Sequence, residues 1–367
     1  MVSKGLVRLL VASGLALATF GQSALRIAPV PRDPLELVNG RIQTADSAAR
    51  RDAALHLLAR ARESYDLRKA GVAYQLKVSF TTNSGGQTEY DGAWQMEDVF
   101  DPQLGHRWTA KAAGGFAATR ISAKNTHFGD ATASVIPLRL HEARAALLGP
   151  IPSASNVARG AIRTSTATFN GVPVTCVLLA GPETPATATL GRAWEETEVC
   201  VDPQSGLLQM QSQVPGRYYS YDYTNAPQLG KYRLPAKVKV TEAGKTVSEI
   251  TVGSLREIPA ADASLFVPSQ RMKAKGPAIA LAGAQKISFD SGSIPADSAA
   301  TSQPVCVFGL VTPSGQLVEA HSLQPSDPNS AAAVEAAKHM SFFMPAVSGA
   351  RQQQHFVFVI ERFAAAQ

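Results

Sequence analysis

The chain has 367 residues, 45% hydrophobic and 17% charged, which is enough apolar material for a sizeable core and for two domains. Its formal charge of +6 falls by two, to +4, once Lys4 and Arg8 are set aside with the leader, and the remaining basic residues are spread thinly. Nucleic-acid binding, which needs clustered Lys and Arg, has no support.

The first 23 residues read as a secretory signal. Lys4 and Arg8 form a positive n-region, residues 9–20 an apolar h-region, and Gly21-Gln22-Ser23-Ala24 offers small residues for cleavage. About a dozen apolar residues fall short of ~30 Å of hydrocarbon, and no Cys lies nearby for a lipid anchor. The expected location is periplasmic or secreted; an uncleaved signal would instead hold the chain at the inner membrane.

After Pro29, Pro31 and Pro34, residues 46–67 read as a helix, with Ala54, Leu58, Ala61 and Tyr65 at helical spacing. The period then changes to two: Val72, Tyr74, Leu76, Val78 and Phe80 alternate with more polar neighbours, as in a half-buried strand. Asn83-Ser84-Gly85-Gly86 and Gly114-Gly115 are turn signals, and residues 138–148 read as a second helix. Asn170-Gly171, the dipeptide most favoured in type I′ hairpins, divides strands 161–169 and 172–180. Asp202-Pro203-Gln204-Ser205-Gly206 turns the chain into strand 207–214. Residues 217–224 carry four tyrosines, and 234–240 pairs with 247–255 across Glu242-Ala243-Gly244. About ten strands and two helices predict an α+β fold for residues 45–270: a large curved antiparallel sheet, or half-barrel, with helices on its open side. Such a sheet encloses an apolar space, and Trp94, Phe116 and Trp194 are candidates to line it; packing in an ordinary core is the competing assignment.

Cys176 and Cys200 lie in strand-like runs separated by a Gly/Pro/Thr-rich loop and are expected to form a disulfide, while Cys306 is left over as a small buried residue. Residues 271–303 shift to Gly, Ala, Ser and Pro and read as a linker, within which Lys286-Ile287-Ser288-Phe289 is a candidate strand docking on one domain.

The last module, residues 304–364, runs hairpin, helix, strand. Two apolar runs flank Pro313-Ser314-Gly315, Asp327-Pro328 offers an N-cap and N1, and the closing run alternates Phe356, Phe358 and Ile360 against Val357, Val359 and Glu361. Val305, Val307, Val311 and Gly315, then Phe342, Pro345 and Ala346, then Gly349 and the terminal Phe363 resemble the C-terminal domain of TonB-type energy transducers. The resemblance implies a small ββαβ domain. It also implies that the final strand, His355, Phe356, Val357, Phe358, Val359, Ile360, Glu361 and Arg362, is an exposed edge that pairs with the TonB-box peptide of an outer-membrane receptor. An edge strand is a template for strand addition. A globular middle replaces the membrane helix and Pro-rich spacer of that family, so an adaptor fits better than an energy transducer. In the middle segment, the Cys200–Leu207 turn and Tyr232-Arg233-Leu234-Pro235 resemble LolA/LppX-type periplasmic half-barrels, which implies a lipid or lipoprotein ligand.

Chemistry-bearing motifs are absent. His56, His106, His127, His141, His321, His339 and His355 show no metal-ligand spacing, and there is no nucleophile elbow, P-loop or dinucleotide fingerprint. Glu195, Glu196 and Glu198 beside Trp194 read as a solvated strand face. No catalytic residue, metal or cofactor is expected. The leading expectation is an exported, non-enzymatic adaptor; the alternatives are a lipid or lipoprotein carrier and a secreted enzyme with a dispersed site.

Overall fold

The computed structural model describes residues 42–83, 90–123, 126–133, 137–157, 160–180, 192, 196–277, 286–290, 304–312, 314–342 and 355–362. In chain order the N-terminal elements are β1 (Gln43–Thr44), α1 (Ala48–Glu63), β2 (Tyr74–Thr82), β3 (Gly92–Asp101), β4 (Gly105–Ala112), β5 (Ala117–Ala123), β6 (Thr126–Ala131), α2 (Leu138–Leu148) and α3 (Ala154–Val157). Next come β7 (Ile162–Phe169), β8 (Val172–Leu179), β9 (Thr197–Val201), β10 (Leu208–Val214), β11 (Arg217–Asp222), β12 (Gln228–Leu229), β13 (Tyr232–Arg233), β14 (Lys237–Glu242), β15 (Lys245–Glu257) and α4 (Gln270–Lys275). The chain closes with β16 (Lys286–Asp290), β17 (Pro304–Val311), β18 (Leu317–Ser322), α5 (Ser330–Lys338) and β19 (His355–Arg362).

Among the described residues, thirteen strands form one antiparallel sheet in the order β1-β7-β8-β9-β10-β11-β14-β15-β2-β3-β4-β5-β6. Its ends, β1 and β6, do not pair, so the sheet is open. Ala118 of β5 and Ile162 of β7 nevertheless belong to one hydrophobic core. One core therefore runs across ten strand positions, and a twisted sheet of thirteen strands curls around the face it buries. The shared core contains Leu76, Val78 and Phe80 of β2, Val238 and Val240 of β14, Ala54, Leu58 and Ala61 of α1, and Leu140, Ala143 and Leu147 of α2. Both helices thus fill the concave side.

Local chemistry sets the element ends. Ser47 caps α1 by accepting from the Arg50 amide, offsetting one orphan donor of the first turn. The β7–β8 hairpin turns on Asn170 and Gly171, both at positive φ, as a type I′ turn requires. Cys176 and Cys200 face each other in register across β8 and β9 and form the expected disulfide.

The C-terminal module has the strand order β16-β19-β17-β18. β17 is buried on both faces, which explains its unbroken apolar run. Val305, Val307 and Val311 pack with Ala333 and Ala337 of α5, whereas Cys306, Phe308 and Leu310 pack with Leu138 of α2 and Val214 of β10. The module is therefore seated on the large sheet, and Cys306 is the free, buried residue expected.

Two expectations need correction and one is met. Helix α5 is capped at Asn329 rather than at Asp327; the Asp327 carboxylate instead accepts from the Asn329 amide, closing a turn that contains Pro328. The candidate strand at Lys286–Phe289 is β16 and docks on the C-terminal module, pairing in parallel with β19 from Lys286↔Phe356 to Asp290↔Ile360. Consequently His355, Phe356, Val357, Phe358, Val359, Ile360, Glu361 and Arg362 do not form a free edge: β17 pairs on one side of them and β16 on the other. The docking strand was legible in the preceding segment, but not that it would cover the edge of β19.

Candidate ligand face and module junction

The concave face is apolar and aromatic at its centre. Phe80 and Trp94, opposite each other on β2 and β3, stack with ring centroids 5.3 Å apart, and Phe116 stands 5.5 Å from Trp94. Trp94 also donates from its indole nitrogen to the Tyr90 carbonyl at 2.9 Å. Trp94 and Phe116 thus pack against one another within the core rather than lining one of the described clefts. Those clefts, of about 360 and 740 Å³, border Ala117, Thr119 and Met272 in one case and Phe169, Lys237 and Lys239 in the other. Trp194 lies outside the described residues.

Toward one end of the same face the side chains become ionic. Asp98 continues the inward parity of Trp94 and Met96, and His106 that of Trp108 and Ala110. Asp98 is fully buried, and His106 Nε2 lies 2.8 Å from each of its oxygens. Arg68 donates to His106 Nδ1 at 3.1 Å, which leaves Nε2 to donate to Asp98. From α2, Arg144 reaches Asp98 at 3.4 Å and lies over the Trp108 ring, 4.2 Å from its centroid. Arg120 sits opposite Trp108 on β5. Burial opposes ionisation of Asp98, but His106, Arg144 and Arg68 outweigh it and hold the carboxyl below its usual range. Burial, with Arg144 adding to it, lowers the Arg120 guanidinium to about 10. Two guanidiniums and an imidazole therefore gather around one carboxylate, with a third guanidinium, Arg120, close enough to Arg144 to feel its charge.

A second ionic group lies where the module meets the sheet. Arg217, fully buried on β11, donates to Glu242 at 2.8 Å, to the Tyr219 hydroxyl at 2.6 Å and to Glu142 of α2 at 2.5 Å. Arg139 of α2 donates to Glu142 and Glu242, both at 3.0 Å, and to Glu319 of β18 at 3.3 Å. Both guanidiniums lie over the Phe308 ring of β17. Burial disfavours the Glu242 carboxylate, yet the two arginines prevail and hold it well below the usual range. Burial pushes the Glu319 carboxyl up; Arg139 pulls it down, but Glu242 adds to the rise. None of this was foreseen, because each of these residues is isolated in sequence and only the fold brings them together.

The acidic run at β9 also departs from expectation. Glu196 and Glu198 are buried, the former paired with Arg163 and the latter 3.1 Å from Arg192, whose other end donates to Ser212. They close a structural ion-pair network rather than a solvated face, and burial pushes the Glu198 carboxyl up. Of the module's signature residues, Gly315 and Phe342 meet: the Phe342 amide donates to the Gly315 carbonyl at 3.3 Å, and Gly315 sits at φ +88°. Pro345, Ala346, Gly349 and Phe363 lie outside the described residues, as do the side chains of the β19 residues other than Val359.

The chain is thus an α+β protein with a large, open, curled antiparallel sheet, helices on the concave side and a small four-stranded module seated beside them. No protein-family model and no curated protein matches it. Among solved structures it is similar to a LolA superfamily protein from Nitrosomonas europaea, at 11% identity and a TM-score of 0.36, over 59% of this chain and 97% of that one. It is also similar to a DUF1329 family protein from Desulfovibrio piger, at 8% identity and a TM-score of 0.37, over 59% and 96%. Neither is described as a TonB-type protein. Likeness at these scores determines neither a ligand nor a mechanism.

Proposed function

We propose that this chain is an exported, non-enzymatic carrier of an amphipathic ligand with an anionic head group, such as a lipid. The observation that supports it most is that one side of the sheet carries an apolar, aromatic core beneath α1 and α2 and, at its end, Arg68, His106 and Arg144 around the single carboxylate of Asp98, with Arg120 beside Arg144. Guanidiniums suit anionic head groups because they offer a planar fork of donors that phosphate and carboxylate match in pairs. The buried Cys176–Cys200 disulfide fits an oxidising compartment such as the periplasm. Among the described residues no helix is long and apolar enough to cross a membrane.

Two experiments test the proposal. Organic extraction of protein purified from the periplasm, followed by mass spectrometry, should yield a near-stoichiometric anionic amphiphile. A fluorescent fatty acid should bind the delipidated protein and lose at least tenfold in affinity in Arg120→Gln/Arg144→Gln, whereas the matching neutral alcohol should be indifferent to those changes. Extracts without lipid, together with no fatty-acid binding, would sink the carrier; equal losses for acid and alcohol would sink the head-group role.

A further inference from the structure

The junction between sheet and module brings together donor atoms that the carrier function does not use. Glu242 ends β14 in the sheet, whereas Glu319 and His321 stand two residues apart on β18, hence on one face of that strand. One ligand atom from each of the three lies within 4.8 Å of the others. The arginines hold only one oxygen of each carboxylate. Glu242 Oε1 accepts from Arg139 and Arg217, and Glu319 Oε1 accepts from Arg139. The Oε2 atom of Glu319 is buried and accepts no hydrogen bond, and the Oε2 atom of Glu242 is held by no arginine. His321 Nε2 lies 2.8 Å from Glu242 Oε2, so in the metal-free protein these two atoms face each other directly.

Both carboxylates are oriented by arginines behind them, as ligands are by an outer shell. His321 is 28% exposed, which gives a path from solvent.

We propose that Glu242, Glu319 and His321 form a binding site for a divalent transition metal of the zinc class, tying β18 of the module to β14 of the sheet. One imidazole and two carboxylates with a position left for water suit Zn²⁺, whose bonds to N and O are about 2.0–2.2 Å. Calcium takes six to eight oxygens and is a poor match for three ligands that include an imidazole.

The test uses the full mature chain after dialysis against a chelator. Titration with Co²⁺ should give a visible ligand-field band that saturates at one equivalent and is abolished by added Zn²⁺. His321→Gln should weaken binding at least a hundredfold and Glu319→Gln at least tenfold, with unchanged far-ultraviolet circular dichroism. If Glu319→Gln proves unfolded, His321→Gln alone decides, since its ring is partly exposed. Absence of Co²⁺ and Zn²⁺ binding below millimolar concentration, or undiminished binding in His321→Gln, would overturn the site.

Discussion

Replacing Arg217 with Met should cost about 3–5 kcal/mol of stability. The side chain is fully buried and donates to two carboxylates, Glu242 at 2.8 Å and Glu142 at 2.5 Å, as well as to Gln213 and Tyr219. Two charge-assisted bonds at about 1.5–3 kcal/mol each give roughly 3–6 kcal/mol. Removing one partner of a buried ion pair costs a similar amount, about 3–5 kcal/mol, because the other is left charged in a dry site. Methionine fills most of the volume, so the loss is chiefly electrostatic. Urea unfolding followed by tryptophan fluorescence and by far-ultraviolet circular dichroism measures it. Adding Glu142→Gln should recover part of the loss, since it removes one orphaned carboxylate. A loss below about 1 kcal/mol would refute the reasoning, because the network would then have to be hydrated rather than buried.

Further outcomes follow from the same structure. The Cys176→Ala/Cys200→Ala variant frees a loop of 24-residue separation and should lose about 3–4 kcal/mol in the same urea assay; a midpoint insensitive to reduction would count against a stabilising bridge. Gly315→Ala should lower the thermal midpoint, since its Cβ would lie 2.1 Å from the Phe342 carbonyl oxygen at a φ of +88°; an unchanged midpoint would mean that this contact does not hold the hairpin. Asp98 has a depressed folded pKa, so its contribution is present above the unfolded value of ~3.9 and is lost as pH falls through the folded value. Asp98→Asn should therefore be less stable at pH 7 and flatter between pH 5 and 2, and parallel acid limbs for the two proteins would contradict that assignment.

Period-two alternation over β2, the Asn-Gly hairpin between β7 and β8, and the apolar spacing of α1 were legible because each depends on neighbours in sequence. The register of Cys176 against Cys200 followed from the same local signals. The concave basic group was not legible: Arg68 follows α1, Asp98 and His106 lie on β3 and β4, and Arg144 is on α2. No spacing rule joins them, and parity along a strand shows which residues share a face but not which strands curl together. The fourth strand of the module was legible as a docking strand, but its partner was not, for a related reason. Lys286–Asp290 is short and flanked by Gly, Ala and Ser, and a parallel partner leaves no turn signal in sequence.

If the concave face takes up a ligand, one of the two helices covering it must give way, and the contacts point to α1. Helix α2 is bound by charge at three positions: Arg139 to Glu242 and Glu319, Glu142 to Arg217, and Arg144 to Asp98. Helix α1 buries Ala54, Leu58 and Ala61, of which only Leu58 is bulky, worth roughly 1.5–3 kcal/mol. Its long-range arginine bonds run to backbone carbonyls, Arg51 to Gly160 at 3.1 Å, Arg60 to Pro203 and Gln204, and Arg62 to Pro152, while the ion pair of Arg50 is an exposed local one with Asp46. Such bonds add about 0.5–1.5 kcal/mol each and are readily exchanged for water. Local opening should therefore favour α1, whose inner amides should exchange with deuterium about 100-fold faster than those of α2 in the ligand-free protein. A bound fatty acid should change the α1 rates and leave those of α2 nearly as they were. Equal protection of the two helices would mean that the ion pairs of α2 add nothing to its anchoring, and faster exchange in α2 would make α2 the cover that moves.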